Sequence, residues 1–335
     1  MRVLIADKFE QRGIDGLASI GADVALDPSL GPDTLPGAIS AHEAEVLVVR
    51  STKVPAAVIE RAAGDGPLKL IIRAGSGYDN IDCAAAERAG VSVCNCPGMN
   101  AVAVAEIAMG HLISLDRRLP EQHADLAAGK WDKKRYSVAR GLCGNTLGVV
   151  GTGAIGRAVI ERARAFGMHI FAWSRSLDAH SAAALGVEWA GAGREGLLEL
   201  ARRSDAVSVH VAANAETERM FDRAFFEAMR DGAFFINTSR GKVVDDGALI
   251  WALGHKGVRA GLDVWRDQPA DKQADWKPAL LEHEGVYGSH HVGASTDQAQ
   301  FAVADEVVRI VEAFNARGEV MHRVAGPEKP VASAG

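Results

Sequence analysis

The chain has 335 residues, more than one hydrophobic core usually serves and fewer than three domains normally need, so two domains are expected. It is 48% hydrophobic and 24% charged with a net charge of -6, which excludes the basic footprint of a nucleic-acid or anionic-membrane binder. No run approaches the about 18 consecutive apolar residues of a membrane span. The start, MRVLIADKFE, reads as a strand followed by charge rather than as a secretion signal. Cys83, Cys94, Cys96 and Cys143 lack the paired spacing of a zinc site; no metal is expected, and the thiols are read as reduced, in a soluble cytoplasmic protein.

Short β-branched runs alternate with Ala-rich segments of helical period, the pattern of βαβ units, so the fold class is α/β. Strands are predicted over residues 3–6, 46–50, 69–73 and 91–94, with an Ala-rich helix over 83–89, as in a flavodoxin-like domain. A long helix over 101–116 follows Pro97, Gly98 and Asn100, good helix-entry residues, and could bridge two domains. A second strand series, 147–150, 169–173, 206–211, 234–237 and 259–263, predicts a second doubly wound unit inserted into the first. Helical spacing over 297–315 could return the chain to the first domain. The expected division is 1–98 plus 293–325 for one domain and 99–292 for the other, with the Pro- and Ala-rich 326–335 a disordered tail.

The first motif that carries chemistry is Gly151-Thr-Gly-Ala-Ile-Gly156, set between a predicted strand and an Ala/Arg-rich helix. Gly151 permits a tight turn, Gly153 lets the backbone approach a pyrophosphate, and Gly156 lets helix pack on strand. The helix start at Ala154 and Ile155 adds N–H groups and positive dipole. In this setting the motif predicts a Rossmann dinucleotide site. The next strand should end, about twenty residues on, in an acid that holds the ribose of NAD. It ends instead in Ser174, Arg175 and Ser176. A guanidinium and two hydroxyls suit a 2′-phosphate, so NADP is favoured slightly over NAD; the alternative is a solvated surface arginine, with NAD held by other contacts.

Read together, Arg50-Ser-Thr52, Ala74-Gly-Ser-Gly77 with Asp79 to Asp82, Asn95-Cys-Pro-Gly-Met-Asn100, Asn237-Thr-Ser-Arg240-Gly241, Gly261-Leu-Asp-Val264 and His290-His-Val-Gly-Ala-Ser-Thr296 resemble the D-2-hydroxyacid dehydrogenase family from residue 1 to about 322. Within it, the run up to Gln300 and Trp131-Asp-Lys133 are most similar to D-3-phosphoglycerate dehydrogenases. The resemblance implies a flavodoxin-like substrate domain, an inserted Rossmann domain, and hydride transfer between NAD(P) and a D-2-hydroxy acid. It implies that Arg240 binds the substrate carboxylate, that His291 is the acid/base, and that Asn100 and Asp263 lie beside the cofactor. Ser76 and Gly77 would cradle the carboxylate with backbone N–H groups, because a Gly-rich turn can aim its amides at an anion. Arg50, Ser51 and Lys133 are candidates for a substrate phosphate, or are ordinary surface groups.

One position departs from the pattern: Gln268 precedes Pro269 where most relatives have the Glu that holds the catalytic histidine. Gln can accept a hydrogen bond from a ring N–H but supplies no charge. Either the enzyme works with a weaker acid, or Asp267 takes over, or the reaction needs no proton transfer, as in the formate dehydrogenases that also pair Gln with His here. Hydroxypyruvate or glyoxylate reduction is a further alternative. So is a dinucleotide-sensing binding protein without efficient turnover, the class the C-terminal-binding-protein corepressors resemble. Residues 117–130, helical and of mixed polarity, are read as a homodimer arm.

Overall fold

The computed structural model describes residues 1–63, 66–269 and 273–328; the expected tail therefore lies outside the described residues from 329 onward. The chain divides into two compact units, Met1–Asn100 with Ser295–Gly335, and Ala101–Ala294.

In the first unit the strands are β1 (Arg2–Ile5), β2 (Asp23–Leu26), β3 (Val46–Val49), β4 (Leu70–Arg73) and β5 (Ser92–Asn95). The second contains β6 (Thr146–Val150), β7 (His169–Trp173), β8 (Glu188–Trp189), β9 (Ala206–Val209), β10 (Phe234–Asn237), β11 (Arg259–Leu262) and β12 (Val286–Gly288), before β13 (Arg323–Ala325) returns to the first. Central strands such as Val46–Val49 and Phe234–Asn237 are buried along their whole length. Their continuous apolar runs follow from helices covering both faces of a parallel sheet. Alternation still sorts the side chains: Val3 and Ile5 join one core, Leu4 and Ala6 the other.

The first sheet has the order β13-β5-β4-β3-β1-β2, parallel except for β13 at its edge. The flavodoxin-like expectation thus holds, with one antiparallel strand added. The second sheet runs β12-β11-β10-β9-β6-β7-β8, a Rossmann order extended by β12. Its direction of winding reverses between β6 and β9, so the crevice at their carboxyl ends is where such a fold offers a ligand site. One face is filled by Phe221, Phe225, Phe226 and Phe235 in edge-to-face contacts, with ring centroids 4.9 to 6.3 Å apart. Among the described residues no helix is long and apolar enough to cross a membrane, and all four cysteines are free thiols.

Candidate active site

After β6 the chain must turn sharply into the helix Ala154–Ala165, and each glycine of the turn has a distinct reason to be there. Gly151 has a φ of 98°, and a Cβ on it would lie 2.2 Å from the His210 carbonyl oxygen. A Cβ on Gly156 would sit 1.9 Å from the Gly151 oxygen, where backbone cannot yield. Around Gly153 nothing lies within 4 Å, which leaves room for a group to approach the main chain. Ala154 and Ile155 open the helix, so their N–H groups have no partner within it. A pyrophosphate fits this arrangement of tight, open and tight positions.

The turn borders a cleft of about 410 Å³, which Ser174, Arg175 and Ser176 line. Thr152 donates to Ser174 across it at 3.0 Å. The cleft is also lined by residues that no sequence motif marks: Arg157, Asn214, Glu216 and Thr217. Glu216 forms an ion pair with Arg175, so the guanidinium at the tip of β7 is already matched by a carboxylate. Nothing in the local sequence around Arg175 signals a partner 41 residues away.

The second cluster gathers at the carboxyl ends of three adjacent parallel strands, β10, β11 and β12, which are followed by Arg240, Gln268 and His291. Asn237 shapes the first turn, donating to the Arg240 carbonyl at 2.9 Å and accepting from Ser239, while Arg240 donates to the Ser239 carbonyl at 2.8 Å. A Cβ on Gly241 would fall 2.1 Å from the Trp265 carbonyl carbon, so the missing side chain lets this turn close on the one that carries Gln268.

Gln268 lies 2.7 Å from His291 through its Nε2 and Nδ1. Its Oε1 accepts the Trp265 backbone N–H at 3.1 Å. A backbone N–H can only donate, which assigns the amide oxygen to Trp265 and leaves the amide N–H pointing at the ring. Gln268 therefore donates to Nδ1, the reverse of the acceptor role expected from the sequence. The ring then keeps its proton on Nε2. Asp267 is exposed, and its like charge adds to the burial that pushes Asp246 up.

His291 itself has a φ of 55°, a left-handed conformation that is uncommon away from glycine and costs backbone energy. Asp263 holds it there. This carboxylate, 1% exposed, accepts the Val292 N–H at 3.0 Å, the Gly293 N–H at 2.9 Å and the Ser289 hydroxyl at 2.6 Å. Asp263, expected from the sequence to lie beside the cofactor, engages both of its oxygens in anchoring the histidine loop. Behind it His111 meets the Ser289 hydroxyl at 3.0 Å, and burial pulls its pKa down against the opposing pull of Asp263. A cavity of about 690 Å³ adjoins Gln268, His290 and His291, with Trp265 and Trp276 in its wall.

In the first unit, Ser76 and Gly77 follow β4. The Ser76 hydroxyl donates to Asn100 Oδ1 at 2.7 Å, and Asn95 donates to the Ser76 carbonyl at 2.6 Å. The Arg73 guanidinium occupies the space a Cβ on Gly75 would need, which places a cation under this turn. The proposed phosphate ligands have other engagements. Arg50 pairs with Glu10 and lies over the Phe9 ring at 5.3 Å. The Ser51 hydroxyl donates to Asp7 at 2.8 Å. Burial pushes the Asp7 carboxyl up, but the Arg50 and Thr52 amides and Ser51 outweigh it and hold it below its ordinary value. Asn100 closes the first unit, immediately before the helix Ala101–Arg117, and Lys133 is an exposed residue of the second.

The family profile described as D-isomer specific 2-hydroxyacid dehydrogenase, NAD binding domain, matches residues 109–293. The chain is 36% identical over 97% of its length to D-3-phosphoglycerate dehydrogenase of Methanocaldococcus jannaschii, of which it covers 59%. It is 40% identical over 79% of its length to hydroxypyruvate reductase of Thermotoga maritima, covering 83% of that protein. The crystal structure of an NADPH-dependent glyoxylate/hydroxypyruvate reductase from Sinorhizobium meliloti, with NADP and malonate, superposes with a TM-score of 0.80 at 26% identity over 99% of both chains. The first curated relatives are longer, and the chain spans 48% to 59% of their length. With the profile covering more than half of it and relatives of this kind along nearly all of it, the chain belongs to the D-isomer-specific 2-hydroxyacid dehydrogenase family.

Proposed function

We propose that this chain is a nicotinamide-dependent oxidoreductase that interconverts a D-2-hydroxy acid and its 2-keto acid, with a D-3-phosphoglycerate-like substrate first in order. The observation that carries the reading is the convergence of Arg240, Gln268 and His291 at the ends of adjacent strands, with His291 paired to Gln268 at 2.7 Å. Bound along the glycine turn, a nicotinamide dinucleotide supplies or accepts the hydride. Whether NADP or NAD fits better turns on Arg175 and its partner Glu216.

Arg240 then binds the substrate carboxylate and stabilises charge on the reacting oxygen. Ser76 and Gly77 are candidates for a second set of donors to that carboxylate. His291 offers its Nε2–H to the same oxygen. To release that proton the ring needs a second one on Nδ1, so Gln268 must turn its carbonyl toward the ring. The turn sacrifices the Trp265 N–H bond, at a cost of about 1 kcal/mol. Gln268 thus leaves less of the ring in its charged, proton-donating form near pH 7 than a carboxylate would, yet a usable share.

Two other classes of substrate have an observation in their favour. The Gln268 N–H directed at Nδ1 keeps the ring a neutral donor, which suffices for a formate-type reaction without proton transfer. The engagement of Arg50 with Glu10 and of Ser51 with Asp7 suits an unphosphorylated acid such as hydroxypyruvate or glyoxylate. Steady-state assays with 3-phosphohydroxypyruvate, hydroxypyruvate, glyoxylate and formate, each with both cofactors, separate these readings. Phosphohydroxypyruvate should give the highest kcat/KM, and turnover of none of the four would favour a dinucleotide-sensing protein. Arg240→Ala should lower kcat/KM about a hundredfold or more with nucleotide affinity unchanged. We also propose a homodimer built on the helix Leu119–Ala127, with its exposed Leu126, and the exposed Trp131 beside it. Light scattering should give twice the 35.3 kDa chain mass.

A further inference from the structure

The carboxylate that the Rossmann pattern calls for is missing from the tip of β7, but one reaches the same place from elsewhere. Glu216 stands on the loop after β9, and Arg175 follows β7; in the sheet these two strands flank β6 on either side. Their ion pair therefore spans the end of β6, above the glycine turn, and both side chains line the cleft beside that turn. A dinucleotide seated on the turn must meet this pair.

The loop that carries Glu216 is pinned. Asn214 Oδ1 accepts the backbone N–H groups of Glu216 at 2.9 Å and Thr217 at 3.1 Å. The Thr217 hydroxyl accepts the Asn214 N–H at 2.9 Å and donates to the Ala212 carbonyl at 2.6 Å. The carboxylate can shift as a side chain, but its backbone does not follow. The two partners are 77% and 69% exposed, so the pair contributes little to stability. What it does decide is charge. With Glu216 present the adenosine end of the cleft offers a neutralised Arg175 and two carboxylate acceptors, which suit ribose hydroxyls and repel a phosphate.

Resting on the dinucleotide reading of this cleft, we propose that Glu216 is the residue that sets cofactor choice, taking over the role of the absent β7 acid and directing the chain to NAD over NADP. Arg175 positions it. Removing the carboxylate frees the guanidinium to grip a 2′-phosphate, so one substitution should move the preference toward NADP.

The test measures dissociation constants of NADH and NADPH by tryptophan fluorescence for wild type, Glu216→Gln, Arg175→Gln and the double variant. Wild type should bind NADH more tightly. Glu216→Gln should tighten NADPH about tenfold or more relative to NADH, the scale of one charged hydrogen bond. The double variant should lose that gain, which assigns it to Arg175. A wild type that prefers NADPH, or a ratio unmoved by Glu216→Gln, overturns the proposal while leaving the dinucleotide site intact. If wild type binds neither nucleotide, the reading of the cleft falls and the proposal with it.

Discussion

The glycine turn after β6 and the histidine loop after β12 both follow the carboxyl ends of strands in one parallel sheet, yet they are held in opposite ways. The turn is defined by atoms that are absent: at Gly151 and Gly156 a single methyl would collide with carbonyl oxygens. The loop is defined by atoms that are present: the Asp263 carboxylate gathers three donors, and Gln268 bridges Trp265 to the His291 ring. The first should therefore tolerate no addition at Gly151 or Gly156 and the second no removal. A backbone cradle needs close approach, whereas a strained side chain needs a scaffold to keep it in place.

The sharpest way to break this contrast is Asp263→Ala, which strands two backbone N–H groups and a hydroxyl. It should lower unfolding free energy by about 3 kcal/mol or more in chemical denaturation, with a matching loss of turnover as His291 relaxes. A loss below about 1 kcal/mol would mean that the loop holds itself.

Gly156→Ala should cost about 1–3 kcal/mol through overpacking against backbone. Gly153→Ala, facing open space, should stay within about 0.5 kcal/mol of wild type and still weaken nucleotide binding. Equal stabilities for the two variants would remove the distinction between the tight and open positions of the turn.

Gln268→Glu replaces a donor at Nδ1 with an acceptor. Keto-acid reduction near pH 7 should rise about tenfold, equivalent to one pKa unit gained by the imidazolium. The pH at which reduction falls away should move upward in the kcat/KM profile. A fall in keto-acid turnover would favour the reaction without proton transfer. Asp267→Asn should retain activity, and a crippled variant would restore the idea that Asp267 serves the histidine.

The smallest effect concerns His210, whose carbonyl lies against Gly151. Burial pushes its pKa down to about 3, and Nδ1 is a buried atom with no hydrogen-bond partner among the described residues. The fold keeps the ring neutral while the unfolded chain protonates it below its ordinary 6.5. Its contribution is therefore full above that value and is lost as pH falls toward 3, by about 1 kcal/mol between pH 6.5 and 5.5. His210→Asn should flatten this part of a Tm-against-pH curve, and an unchanged slope would place the acid sensitivity elsewhere.

Much of the architecture was legible because the signals were local. Strands β7 and β10 and the start of the helix Asp297–Arg317 fall where the apolar runs and the helical spacing put them. The edge strands β2, β8, β12 and β13 escaped, since two to four half-exposed residues carry no clear period. Arg240, Gln268 and His291 were visible as motif positions, and their three-strand convergence follows once the sheet order is known.

Properties that travel along the chain could be read from the residues alone: the α/β class, the glycine turn with a reason for each glycine, and the substitution of Gln268 for a carboxylate. The tertiary structure decided the pairings between distant segments. It gave Arg175 its partner Glu216 and drew Asp263 into the histidine loop. It tied Arg50 to Glu10, and it turned the Gln268 amide so that it donates to His291. The physical reason is the same in each case: a side chain's charge and donor groups are written in the sequence, but the group that satisfies them is selected by which strands lie side by side.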